Sequence, residues 1–293
     1  MTVTTEQDGR VPASGDERML TLRGVTVRFG GITALDAVSL DANRGEVLGI
    51  IGPNGAGKTT LFDVISGVRA PNEGSVLLAG HDVTSTSSTK RARRGLRRTF
   101  QRVQAFGWLT VEDNILAALE WHGGGGGFVA DLAYFPTRRR REKERRRRVE
   151  EVLERCGLTA VRRELAGSLP IGVARMVELA RAIVDEPKLL LLDEPASGLD
   201  ETEVVRLGEQ IQAVRDDSGC AVLLVEHNAG FVMQQSDRVV VLDLGTVLAE
   251  GLPSEVQRNQ AVRDAYLGEA DHSGPPRPTP SSPTPSNPIP PAD

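Results

Sequence analysis

With 293 residues, 39% of them hydrophobic, and a net charge of −5, the chain is long enough to bury a large core, and its charge gives no overall nucleic-acid footprint. No apolar run approaches the length of a membrane span, and Met1 to Glu17 is polar without the apolar centre of a secretion signal, so any membrane role is expected from outside the bilayer. Cys156 and Cys220 are too few for a disulfide framework and lack C-x-x-C spacing, which points to a reducing cytoplasm.

Residues 1–17 read as a disordered leader. Leu20, Leu22, Val25, Val27 and Phe29 then alternate as a strand opening the folded region. The apolar run Val47–Ile51 predicts a strand, and Leu61, Phe62, Val64 and Ile65 a helix. Between them lies Gly52-Pro53-Asn54-Gly55-Ala56-Gly57-Lys58-Thr59-Thr60, the G-x-x-x-x-G-K-[ST] spacing of a phosphate cradle in the strand–loop–helix context it requires. Triphosphate oxygens are met there by backbone amides at a helix start, and Gly52, Gly55 and Gly57 carry no side chain to obstruct the approach. Lys58 supplies a point charge, and Thr59 a hydroxyl for Mg2+.

From Lys90 to Ala180 the pattern is mostly helical, with Val111, Ile115, Leu116 and Leu119 on one face and Val149, Val152, Leu153 and Cys156 on another. Five glycines, Gly123 to Gly127, mark a loop inside this stretch. Arg138 to Arg148 holds nine basic residues against Glu142 and Glu144. A solvated arginine-rich face leading into the helix near Val149 is the favoured reading, over contact with anionic headgroups or an acidic partner.

Strands are predicted at Lys188–Leu192, Ala221–Val225 and Val239–Leu244, alternating with helices, which gives an α/β core. The leucine strand ends in Asp193-Glu194. Asp193 is expected at the carboxyl edge of the sheet, able to hold the magnesium shell. Glu194, on the other side of the alternation, is the expected base for a water attacking the γ-phosphate. The next strand ends in Glu226-His227, bringing an imidazole to the same edge as a γ-phosphate sensor. Asp200-x-x-Glu203 reads as a helix capping box. Nine of the last 23 residues are proline, so 271–293 is expected to be a disordered tail.

The cradle, Gln101 in Thr99-Phe100-Gln101, the Asp193-Glu194 strand end, Ser197-Gly198-Leu199-Asp200 and His227, in that order, resemble the ATP-binding subunit of ATP-binding-cassette (ABC) transporters over residues 19–270. Arg98-Thr99-Phe100-Gln101, Thr110-Val111-Glu112-Asp113-Asn114, the long insert and Ala265-Tyr266-Leu267-Gly268-Glu269-Ala270 look like the branched-chain amino-acid importer type. The resemblance implies a P-loop (RecA-like) α/β core, 18–96 and 181–270, with an antiparallel β portion and an inserted helical subdomain over 97–180. It implies ATP and Mg2+ as ligands, Phe29 stacking on adenine, Gln101 linking magnesium and water to the membrane partner, Asp200 in the loop communicating across a dimer, and His227 as the switch histidine. The implied partners are integral membrane permease subunits, reached through Gln101, Val103 and Phe106, a second ATPase subunit, and an external solute-binding protein by way of the permease. Nucleic acid is not among them. The implied place is the cytoplasmic face of the cell membrane, and the cargo class is branched-chain amino acids or related small amides, with a lipid exporter or a non-transport ATPase as the alternatives.

The sequence departs from that family at the signature. A Leu-Ser-Gly-Gly-Gln run would contact the γ-phosphate held by the opposite subunit; here it is Leu169-Pro170-Ile171-Gly172-Val173. Pro170 has neither hydroxyl nor N–H. Gly172 and the amides of the following helix are left to contribute.

Overall fold

A computed structural model describes residues 17–120 and 135–270. The proposed leader (but for Glu17), the glycine run and the proline-rich tail lie outside the described residues. Two sheets form the frame. Strands β1 (Arg18–Phe29), β2 (Ile32–Asn43), β4 (Glu73–Leu78) and β5 (His81–Asp82) make an antiparallel sheet in the order β2-β1-β4-β5. The second sheet runs β10-β9-β3-β8-β7-β6, from β3 (Val47–Ile51), β6 (Leu96–Arg98), β7 (Leu189–Asp193), β8 (Ala221–Val225), β9 (Arg238–Asp243) and β10 (Thr246–Gly251). All its pairings are parallel except β9 with β10.

Side chains of the parallel strands alternate between two apolar clusters, which is why these strands read as unbroken apolar runs. Val47, Ile51, Leu190, Leu192, Val222 and Leu224 face one cluster with helices α3 (Val111–Glu120), α4 (Phe135–Arg155), α5 (Ile171–Ile183) and α6 (Glu201–Ser218). Leu48, Ile50, Leu189, Leu191, Leu223 and Val225 face the other, with the antiparallel sheet and α1 (Lys58–Ser66). The short α2 (Ser88–Arg93) contributes Arg91, fully buried, whose guanidinium donates to the carbonyls of Val64 and Ile65 and so satisfies the open end of α1. The chain closes with α7 (Ala229–Gln235), α8 (Pro253–Val256) and α9 (Gln260–Ala270).

Ladder register levels three strand ends. Val225 lies opposite both Ile50 and Asp193, so the residues after β3, β7 and β8 emerge together at one sheet edge. Between β6 and β7 lie α3, α4 and α5; α5 runs through the expected boundary at 180. In α4, Val149, Val152, Leu153 and Cys156 at its end are buried, whereas Arg140, Lys143, Arg146 and Arg147 are exposed. Glu142 bonds Arg146, and Glu144 bonds Arg147 and Arg148, the i,i+3 and i,i+4 pairing that supports the exposed arginine-rich stretch of the helix.

Candidate active site

The loop leaving β3 turns into α1 through Gly57, the helix N-cap, at φ 100°. A Cβ there would stand 2.6 Å from the Ala34 carbonyl oxygen, and one on Gly52 would stand 2.1 Å from that of Leu242. These two glycines therefore make room for the protein's own backbone; a Cβ on Gly55, also at positive φ, meets nothing. Lys58 reaches back to donate to the carbonyls of Gly52 and Pro53, at 2.5 and 2.9 Å. Residues 54–60 line a cavity of about 310 Å³ together with Ala34, Gln101, Glu194 and His227. Lys58, Glu194 and His227, far apart in sequence, thus share one wall-and-floor arrangement.

Glu194 leaves β7 at φ 49°, a left-handed conformation that L side chains adopt at a cost and that concentrates at functional sites. Its N–H donates to the Val225 carbonyl, pinning the turn to β8. Both carboxylate oxygens are engaged: the Gln101 side-chain amide donates to Oε2 at 2.8 Å, and His227 Nε2 lies 2.7 Å from Oε1. Behind them Glu226, which the sequence reading passed over, accepts from the N–H of Ala196 and of His227. Burial pushes its carboxyl above the ordinary range, with the two backbone N–H bonds acting the other way.

Asp193 stands differently from the expectation. It is buried, it does not line the cavity, and its carboxylate pairs at 2.9 Å with Arg98, whose other nitrogen binds Asp63 on α1 at 2.7 Å. Burial raises its carboxyl and Arg98 opposes the rise. Arg98 thus ties the cradle helix to the leucine strand; the clue was an arginine beside the Thr99-Phe100-Gln101 run, but its partner depends on the β6–β7 pairing. Phe29 is 41% exposed and lies outside the cavity lining, with the Arg69 guanidinium 4.2 Å from its ring centroid.

Gly172 also lies outside the cavity. A Cβ there would fall 1.8 Å from Glu203 Oε1, the carboxylate of the capping box in which Asp200 accepts from the Glu203 N–H and Glu203 from the Asp200 N–H. A Cβ at this position would push the Glu203 side chain out of that box. Pro170 is the N-cap of α5 and supplies no side-chain bond, and Ile171 is half exposed.

Residues 35–197 match the family model described as ABC transporter, and residues 246–272 match that described as branched-chain amino acid ATP-binding cassette transporter. The high-affinity branched-chain amino acid transport ATP-binding protein BraF of Pseudomonas aeruginosa is 39% identical over 86% of this chain and 98% of its own length. The lipopolysaccharide export system ATP-binding protein LptB of Escherichia coli is 33% identical over 85% and 97%. Among solved structures, a nucleotide-free ATP-binding cassette from an ABC transporter superposes with a TM-score of 0.73 at 29% identity, covering 85% of this chain and 98% of that one. The chain belongs to the ABC transporter family.

Proposed function

We propose that this chain is the ATP-hydrolysing subunit of an ABC importer for branched-chain amino acids or related small amides, working at the cytoplasmic face of the cell membrane. The observation that carries the reading is Glu194 at the rim of the cradle cavity, its two oxygens engaged by Gln101 and His227. In this reading the amides at the start of α1 and the Lys58 ammonium hold the phosphates, and Phe29 offers its half-exposed ring to the adenine. Glu194 accepts the proton of the attacking water, a role worth roughly 10²- to 10⁴-fold in rate. His227 bonds the γ-phosphate and Gln101 the water, once each has released Glu194.

Magnesium takes few protein ligands and completes its shell with phosphate and water, so the exposed Thr59 hydroxyl and the Gln101 carbonyl in the cavity lining suit it. Asp193 joins them only where its pair with Arg98 opens. When bound, the ion would neutralise charge shared between the outer phosphates.

The cargo class is supported by the family match over 246–272 and by the likeness to BraF, a stronger likeness than that to the exporter subunit LptB. Two ATPase subunits close head to tail, each cradle facing the other's signature, and push on the permease subunits through Gln101, Val103 and Phe106; an external solute-binding protein delivers cargo to that permease. Pro170 and Ile171 offer no hydroxyl at the signature, so where the second subunit is a different chain, the site completed by this chain's α5 hydrolyses more slowly than the one on its own cradle. The test is purification of the tagged chain from solubilised membranes, with phosphate release measured on the product. Recovery of permease chains and ATP-dependent release is expected; recovery of neither would overturn the reading.

A further inference from the structure

We propose that Arg175, Glu178 and Arg181, spaced along one face of α5, are positioning residues that grip the backbone of residues 100–104 and thereby set where the Gln101 amide stands. The inference deepens the function proposed above, since it rests on Glu194 being the base that Gln101 touches.

Residues 100–106 form no helix or strand, so their backbone groups have no ladder to bond. The three side chains of α5 stand in for one. Arg175 donates through Nη1 to the Phe100 carbonyl at 3.1 Å and through Nη2 to the Gln101 carbonyl at 2.5 Å. Glu178 Oε1 accepts from the Gln104 N–H at 3.1 Å, and Arg181 Nη1 donates to the Gln104 carbonyl at 2.6 Å. Arg181 also lies 4.7 Å from the Phe106 ring centroid.

The upstream end is anchored separately: the Thr99 N–H donates to the Leu191 carbonyl, and Arg98 is held by Asp63 and Asp193. Gln101 therefore sits on a short span fixed to the sheet at one end and to α5 at the other, with its amide 2.8 Å from Glu194.

Packing alone would not select these residues. Arg175 and Glu178 are 7% and 6% exposed, and burial drives the Glu178 carboxyl up and the Arg181 guanidinium down. Apolar side chains would fill that space without the desolvation cost but could not bond the backbone, whereas directional polar groups fix it. A shift of α5 would be passed to Gln101 through these bonds, and from it to Glu194.

The test is steady-state phosphate release by the assembly purified with the tagged full chain from solubilised membranes, as a double-mutant cycle. Glu178→Ala should lower kcat about tenfold or more, as expected when a catalytic group is misplaced, with KM for ATP changed less than about twofold. Gln101→Ala should lower kcat similarly, and the double variant should lose no more than either single one. Glu178→Gln keeps the Oε1 acceptor and should retain most of the rate, which guards against a fold defect in Glu178→Ala. Additive losses, or an unchanged kcat in Glu178→Ala, would overturn the proposal. Hydrogen exchange over 99–106 reads the clamp without activity: faster exchange in Glu178→Ala than in the unaltered chain supports it, and equal exchange refutes it. Should the assembly recovered with the unaltered chain release no phosphate, the proposed function falls, and the exchange result still decides the clamp.

Discussion

The start of α1 and the start of α5 are both glycine-marked helix entries, yet they differ in what the glycine serves. At α1, Gly57 sits at φ 100° and the loop opens onto a cavity with Lys58 and Thr59 in its lining. At α5, Gly172 is pressed against the Glu203 carboxylate, while Pro170 and Ile171 leave the entry without a hydroxyl. Each glycine makes room for its own chain: Gly57 for the Ala34 carbonyl of the backbone, Gly172 for the carboxylate end of the Glu203 side chain. What a Cβ would strike therefore differs in kind: fixed backbone at α1, and the end of a side chain able to swing away at α5.

The sharpest way to break the comparison acts at the α1 end. Glu194→Gln should lower phosphate release by about 10²- to 10⁴-fold while ATP binding persists, and Lys58→Ala should lose binding itself; rapid turnover in the first or unchanged affinity in the second would remove the cradle's assigned chemistry. Next is the tie beneath it. Arg98→Ala leaves Asp193 buried and unpaired, a loss of about 3–5 kcal/mol in urea unfolding, since removing one partner strands the other charge.

At the α5 end the effects are smaller. Gly172→Ala should expel Glu203 from its reciprocal bond with Asp200 and cost about 1 kcal/mol, the typical worth of a cap. The same loss should follow from Glu203→Ala, and the double variant should be little worse than either. Loss of turnover without loss of stability in Gly172→Ala would instead assign the glycine to nucleotide.

The smallest effect concerns pH. Burial raises the Glu226 carboxyl above its ordinary value of 4.5, so the folded chain holds this proton to higher pH than the unfolded chain does. Its contribution is fully present below that ordinary value and is lost as pH rises through the raised one. Glu226→Gln should flatten that part of the Tm-against-pH curve; an unaltered slope would show that Glu226 does not carry it.

Local chemistry made much of this legible. Val47–Ile51 and Ala221–Val225 form the strands their unbroken apolar runs announced, while the leucine strand begins at Leu189, one residue later than expected. Lys58, Glu194 and His227 were readable because each follows a strand whose end the parallel sheet brings to one edge. The Asp200–Glu203 box was readable from its spacing alone. What stayed hidden depends on pairing between distant segments: Arg98 against Asp193 needs the β6–β7 register, and Arg91 disappears into the core only because the end of α1 lies above it. The left-handed turn at Glu194 likewise goes with a bond to the Val225 carbonyl on the neighbouring strand.

Whether Lys58, Gln101, Glu194 and His227 meet at one triphosphate is read from a structure of the full-length Glu194→Gln chain trapped with Mg-ATP. The γ-phosphate is expected within hydrogen-bonding distance of Lys58 Nζ and His227, with Gln101 released toward the metal and water. Nucleotide bound elsewhere, or phosphates that Lys58 and His227 do not touch, would contradict it.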